Sequence, residues 1–121
     1  MNLKRYFDRV VLINLKRRPD RLEQAKLALN QCHWPFRQPE IFEAVDGTAS
    51  TPRSDWKASP GAWGCLQSHH QILSKAIKDG VKRLLVLEDD IFFTQNFPEK
   101  VQRFLETVPS DWDQLMLGGG A

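Results

Sequence analysis

The chain has 121 residues, 41% apolar and 26% charged, with seventeen Lys/Arg against fifteen Asp/Glu. That is one domain's worth of sequence, with no apolar run near the ~20 residues that cross a bilayer, and a net charge of +2 gives no reason to expect nucleic acid as a partner. The charge is unevenly spread: residues 1–60 carry eleven Lys/Arg and seven Asp/Glu, residues 61–121 six and eight. The first half therefore suits an anion, and the second holds an acidic cluster.

Met1–Phe7 mixes Lys4 and Arg5 with single apolar residues and lacks the apolar stretch of a signal peptide, which predicts a cytoplasmic chain with Cys32 and Cys65 both reduced. Val10–Asn14 (VVLIN) reads as a buried strand. Pro19 opens a helix over about 19–31 with Leu22, Ala25 and Leu29 at helical spacing, and Trp34-Pro35 closes it. Ile41–Val45 is a second short strand, Asp46-Gly47 a turn, and 48–60 a Ser/Thr/Pro-rich surface loop. Gly61–Asp79 is the strongest helix, its predicted apolar stripe Ala62, Leu66, His69, Leu73 and Ala76 with Cys65, Ile72 and Ile77 beside it, capped by Gly80. Leu84–Leu87 is a third strand ending in Glu88-Asp89-Asp90, Pro98–Thr107 a helix with Val101, Phe104, Leu105 and Val108 inward, and Gln114–Leu117 a last strand. The alternation predicts a single α/β domain over 1–121, with a mainly parallel sheet and helices on both faces. Ligands of such sheets sit beyond the carboxyl ends of the strands, where Asn14, Asp46 and Glu88–Asp90 should gather.

Three constellations fall there. In extended backbone Glu88 and Asp90 point one way and Asp89 the other. Paired carboxylates at a strand tip suit a hard divalent cation shared with a diphosphate, although a solvated acidic turn is the plainer reading. Asn14-Leu15-Lys16-Arg17-Arg18-Pro19-Asp20-Arg21 runs from a strand end into a helix start, where free backbone donors and the forked side chains of Arg17, Arg18 and Arg21 suit phosphate; a merely solvated basic turn fits equally. Within Gly61-Ala62-Trp63-Gly64-Cys65-Leu66-Gln67-Ser68-His69-His70, Gly61 and Gly64 permit close backbone approach, His69 reads as a core histidine, His70 as a surface residue and Cys65 as an inert packed thiol.

The segments VLINLKRRPDRLE (11–23), AVDG (44–47), GAWGCLQSH (61–69), LLVLEDDI (84–91) and WDQLMLG (112–118), in this order, resemble glycosyltransferase family 25, of the lipooligosaccharide-biosynthesis and procollagen galactosyltransferase type. The resemblance implies a Rossmann-like GT-A fold that binds a nucleotide-sugar donor with Mn²⁺ or Mg²⁺ and transfers the sugar to a saccharide or glycoconjugate acceptor such as lipooligosaccharide. It assigns the metal to Asp90 with Glu88, and the donor to Asn14, Arg17, Arg18, Arg21, Asp46, Ser68, His69, Glu88 and Asp89. Trp63 departs from the family's usual aliphatic residue. The chain is about half the length of the family's fold or less, and its stop at Gly118–Ala121 implies a domain incomplete at its C-terminal end. A donor-binding module without turnover, or a signalling receiver domain with Mg²⁺ at its strand ends, are the competing readings; a receiver places an acid pair after the first strand, where this chain has Asn14-Leu15-Lys16. The sequence leaves oligomeric state, donor sugar and catalytic base open.

Overall fold

The computed structural model describes residues 1–49 and 52–118. Arg9–Asn14, β1, is buried along all but its first residue, because it runs down the middle of a parallel sheet of order β2-β1-β3, with β2 spanning Glu40–Glu43 and β3 Leu84–Glu88. Leu12 pairs with Ile41 on one side and Leu87 on the other. The alternation of the pleat splits the core in two. Val10, Leu85, Phe7 and Phe36 pack with Val101 and Leu105 of α3 (Phe97–Thr107) on one face. Val11 and Ile13 pack with Ile72 of α2 (Pro60–Lys78) on the other. Right-handed crossovers to strands on opposite sides of β1 place α1 (Pro19–Gln31) on the face away from α2. The chain is thus α/β with helices on both faces, as the alternation predicts. No helix among the described residues is long and apolar enough to cross a membrane.

The helix ends follow from named residues. Pro19 and Pro60 sit at first-turn positions, and the Ser59 hydroxyl accepts from the Ala62 N–H at 3.1 Å. After α2, Gly80 turns left-handed (φ 73°), so Val81 N–H reaches Ala76 O and Gly80 N–H reaches Ile77 O. α1 ends in the same motif, before Trp34-Pro35: Trp34 N–H donates to Leu29 O and His33 N–H to Asn30 O, with His33 in the left-handed position (φ 56°). A histidine there gives no signal of the kind a glycine gives.

Three expectations need correction. The buried face of α2 is Trp63, Gly64, Ser68, Ile72 and Ala76, whereas Leu66, Leu73 and Ile77 are exposed, Cys65 is exposed and His69 is only half-buried. Where the helix meets the 45–47 turn only small residues fit, so Gly64 and Ser68 face it, with Trp63, Ile72 and Ala76 completing the buried face. Gln114–Leu117 forms no strand; Leu115 and Leu117 pack onto the Phe7–Val10 cluster instead, and Trp112 Nε1 donates to the Tyr6 hydroxyl at 3.2 Å. Phe104 is 39% exposed rather than inward. Of the predicted 48–60 loop, the described residues up to Ser59 are irregular and Pro60 already opens α2; the loop is tethered where Trp56 meets buried Trp63 edge-on at 5.0 Å. Residues 50 and 51, and Gly119, Gly120 and Ala121 of the glycine-rich end, lie outside the described residues.

The amino-terminal edge of the sheet is pinned by carboxylates. One oxygen of Asp8 accepts from the backbone N–H groups of Lys82 and Arg83, each at 2.9 Å, joining the starts of β1 and β3. The Arg83 and Lys82 N–H bonds hold the Asp8 carboxyl below its ordinary 3.8, against a smaller opposing effect of desolvation. Asp79 is also held low, by its bonds to Arg9 and Lys75. A depressed folded-state pKa gives stability that is complete above the unfolded value and is lost as pH falls through the folded value. Urea unfolding should therefore show stability falling below about pH 4, and Asp8→Ala should cost about 1 kcal/mol at neutral pH, after allowance for solvent screening, while flattening that acid dependence.

Candidate functional site

The carboxyl ends of the three strands meet around Asn14. Its side chain is at the end of the most buried strand, and the residue is 6% exposed. Both amide hydrogens are used: Asn14 Nδ2 donates to Arg18 O at 3.0 Å and to Asp89 Oδ2 at 2.9 Å. The first bond closes the loop after β1 and the second holds the turn after β3. Arg21 Nη1 lies 3.6 Å from the other Asp89 oxygen, so this carboxylate, with only 12% of its side chain exposed, faces a cation and a carboxamide.

The loop after β2 is built on Asp46. Its Oδ1 accepts from the Thr48 hydroxyl at 2.6 Å and the Thr48 N–H at 3.0 Å, an Asx turn. Its Oδ2 accepts from Arg17 Nε at 3.0 Å. The Thr48 hydroxyl and N–H, then Arg17, hold the Asp46 carboxyl below its ordinary value. Beneath this turn, backbone meets backbone. A Cβ on Gly64 would lie 2.3 Å from Val45 O and 2.7 Å from Gly47 N, and one on Gly47 would lie 1.5 Å from Pro60 O. Fully buried Ser68 stitches the same contact, accepting from Val45 N–H and donating to Gly64 O, both at 2.8 Å. Gly61 faces no such neighbour; Ser59 Oγ at 3.9 Å is ordinary contact.

β3 ends at Glu88, and Asp89-Asp90 form a turn. Glu88 and Asp89 do diverge: Glu88 turns to α2, its Oε1 3.7 Å from Cys65 Sγ and 3.6 Å from His69 Nε2, while Asp89 turns to Asn14. Asp90 lies past the strand, so the extended alternation no longer governs it. It is exposed and makes no hydrogen bond or ion pair among the described residues. Partial burial, with the Glu88 carboxylate alongside, pushes the Cys65 thiol up, so the thiolate is not favoured there. An open cavity of about 210 Å³ draws these segments together, lined by Arg17 and Arg21, by Asp46–Thr48, by Cys65 and Ser68, and by Glu88, Asp89 and Asp90. A neighbouring hollow of about 290 Å³ shares Leu15, Arg17, Ala44 and Asp46 and adds Lys16 and Glu43.

Residues 7–119 match the family model described as glycosyltransferase family 25 (LPS biosynthesis protein). The chain belongs to glycosyltransferase family 25. It is 32% identical to the human protein named inactive glycosyltransferase 25 family member 3 over 93% of this chain and 22% of that protein. It is 28% identical to human procollagen galactosyltransferase 2 over 93% of this chain and 21% of that protein. With a putative glycosyltransferase of Acanthamoeba polyphaga mimivirus it shares 32% identity over 91% of this chain and 37% of the other. The chain thus spans about a fifth of the length of the human relatives it matches.

Family membership sets the receiver reading aside, and the structure distributes the family's motif residues unevenly. Arg17 and Arg21 line the cavity, whereas Arg18 folds back on Asp20 in a two-bonded ion pair of 3.0 and 2.9 Å; that pair leaves Asp20 with a pKa of about 2. Arg18 contributes its backbone carbonyl to Asn14 rather than a fork to the cavity. Ser68 lines the wall with its hydroxyl already engaged, and Trp63 packs on Trp56 instead of shaping the cavity. Glu88 contacts Cys65 and His69, and it lines the cavity together with Asp90. Sequence reasoning read Asp46-Gly47 as a turn but passed over Thr48 and the close backbone approach that Gly47 allows. The tripeptide Asp-Gly-Thr after a strand is a readable Asx-turn signal for both.

Because backbone, not a movable side chain, opposes a Cβ at 64, Gly64→Ala should lower stability by roughly 1–3 kcal/mol and loosen the 45–48 turn, read by unfolding and by amide exchange at Val45. Asn14→Ala should lose about 1–3 kcal/mol through the unpaired Arg18 carbonyl and Asp89 carboxylate; an unchanged unfolding midpoint would refute the role given to this amide.

Proposed function

We propose that this chain forms the nucleotide-sugar pocket of a sugar transferase that moves a glycosyl group to a hydroxyl of a saccharide or glycoconjugate acceptor. The observation that carries this reading is the Asn14 clamp, which holds the loop bearing Arg17 and the start of α1 bearing Arg21 against the turn bearing Asp90 on one cavity. Two guanidinium groups beside a helix start suit the two phosphates of a nucleoside diphosphate. Their present partners, Asp46 and Asp89, belong to partly exposed ion pairs. The more exposed Arg17–Asp46 pair contributes only about 0–1 kcal/mol, so Arg17 can be redirected to phosphate at small cost, and Asp89 keeps its Asn14 donor when Arg21 turns to phosphate. Asp46, fixed by Thr48, sits where it can position Arg17 and accept from a sugar or ribose hydroxyl.

The residues also fit a hard divalent cation. Mg²⁺ or Mn²⁺ needs only one or two carboxylates when phosphate and water complete the shell, and Asp90 offers an exposed carboxylate on the cavity wall. Asp90 would hold the ion; Glu88 and Asp89, engaged elsewhere, would stabilise the wall. When bound, the cation offsets charge on the departing diphosphate. Transfer breaks the bond between the anomeric carbon and the diphosphate oxygen, joins that carbon to the acceptor oxygen, and releases the nucleoside diphosphate and the proton of the acceptor hydroxyl.

A second reading, donor binding without turnover, is favoured by the relative named inactive at 32% identity. Calorimetric titration with uridine and guanosine diphosphate sugars, with and without Mn²⁺, tests the pocket. Binding should require the metal, and Asp90→Ala should weaken it at least about 10-fold, or about 1.4 kcal/mol, with an unchanged unfolding midpoint. Absence of binding to every donor would overturn both readings. Binding without donor hydrolysis or transfer would select the second.

A further inference from the structure

Cys65 and His69 are four residues apart on α2 and so share a face, and Glu88 reaches them from the tip of β3. The thiol sulfur, imidazole nitrogen and carboxylate oxygen lie within 4.8 Å of one another. We propose that Cys65, His69 and Glu88 form a three-ligand site for Zn²⁺, separate from the hard-cation position at Asp90.

Three observations support the assignment. The first is the spacing. Glu88 Oε1 is 3.7 Å from Cys65 Sγ and 3.6 Å from His69 Nε2. The imidazole is thus beyond the ~2.7–3.2 Å of a direct N–H···O bond. Tetrahedral zinc, with bonds of roughly 2.3 Å to sulfur and 2.0–2.1 Å to nitrogen or oxygen, leaves about 3.3–3.6 Å between its ligand atoms. The side chains need move by only tenths of an ångström to an ångström to accept it. The second is donor type. Thiolate and imidazole select zinc-like ions, whereas the oxygens of Asp90 and a diphosphate select magnesium or manganese. The third is access. His69 and Glu88 keep 37% and 53% of their side-chain surface exposed, and Cys65 is exposed, so an ion can enter directly.

As the sulfur–zinc bond forms, the thiol releases its proton to solvent. Three protein ligands leave a fourth position for water or an anion. Cys65 and Glu88 both line the cavity, so the ion would add positive charge to the wall opposite in chemistry to Asp90. It would also tie α2 to the end of β3, two elements whose side-chain contacts at this edge, among the described residues, are one weak thiol contact and one loose imidazole–carboxylate approach.

The test uses the whole 121-residue chain without nucleotide, so its failure leaves the donor reading untouched. Titration with Co²⁺, a spectroscopic stand-in for zinc, should reach one equivalent and develop a thiolate-to-metal charge-transfer band that Zn²⁺ abolishes by displacement. Cys65→Ser should remove the band. His69→Gln and Glu88→Gln should weaken binding roughly 100-fold or more, at or beyond the upper end of what losing an outer-shell partner costs. Cys32→Ser and Asp90→Ala should leave the band in place. Far-ultraviolet circular dichroism checks that each variant is folded, and substitution of an exposed thiol should not unfold the chain. In the unaltered protein, Zn²⁺ should slow alkylation of Cys65 but not of Cys32. Absence of the band, its survival in Cys65→Ser, its loss in Cys32→Ser, or Cys65 alkylation indifferent to zinc would each overturn the assignment.

Discussion

A carboxamide at the end of the central strand organises the whole carboxyl edge. Asn14 has two hydrogens to give, and they go to segments that would otherwise have no reason to meet: the loop closing onto α1 and the turn that follows β3. The residue type is tightly constrained. An aspartate at 14 would set a second carboxylate against Asp89, and an aliphatic residue would leave a backbone carbonyl and a largely buried carboxylate without their donor. The same bond gives the mostly shielded Asp89 side chain a donor in place of water. With Arg21 on its other oxygen, its charge is balanced from two sides, and the basic loop is registered against the acidic turn.

Below that edge the limiting factor is space. The 45–47 turn lies on the first turns of α2 so closely that glycine is needed at both 47 and 64, and a serine hydroxyl at 68 bridges the backbones. This packing places Asp46 and Thr48 at the mouth of the cavity. It also explains why the hydrophobic pattern of α2 misleads. Periodicity assumes that the largest apolar residues face the core, but where two backbones nearly touch the residues at the contact must be small. Gly64 and Ser68 therefore face the turn, Trp63, Ile72 and Ala76 complete the buried face, and Leu66, Leu73 and Ile77 are left at the surface.

Much of the architecture was legible, for reasons that can be named. VVLIN is nearly all β-branched or aliphatic because it is covered on both faces, and Pro19, Pro60 and Gly80 mark helix ends through backbone constraints that do not depend on tertiary context. The parallel sheet and the gathering of Asn14, Asp46 and Glu88–Asp90 at one edge followed from the alternation of elements. Side-chain direction was less legible. Arg18 turns to Asp20 because the acid two residues on is within reach, and nothing in the run Lys-Arg-Arg distinguishes it from Arg17. Leu115 and Leu117 have the spacing of a strand, yet packing on the aromatic cluster satisfies them without a ladder.

The acidic triplet shows most clearly how local geometry assigns chemistry. Had β3 continued, Glu88 and Asp90 would have shared one face and acted as a pair. The strand stops at Glu88 instead, and the turn sends three adjacent acids to three environments: Glu88 to a thiol and an imidazole, Asp89 to an amide and a guanidinium, Asp90 to solvent at the cavity wall. Chain length reinforces the division, since the extra methylene of glutamate helps the carboxylate at 88 reach across to α2, while the shorter aspartate at 89 suits the closer Asn14. A run that reads as one cation-binding motif becomes two potential ligand environments of different softness joined by a structural clamp. The composition of the triplet matters less than the position at which the strand ends.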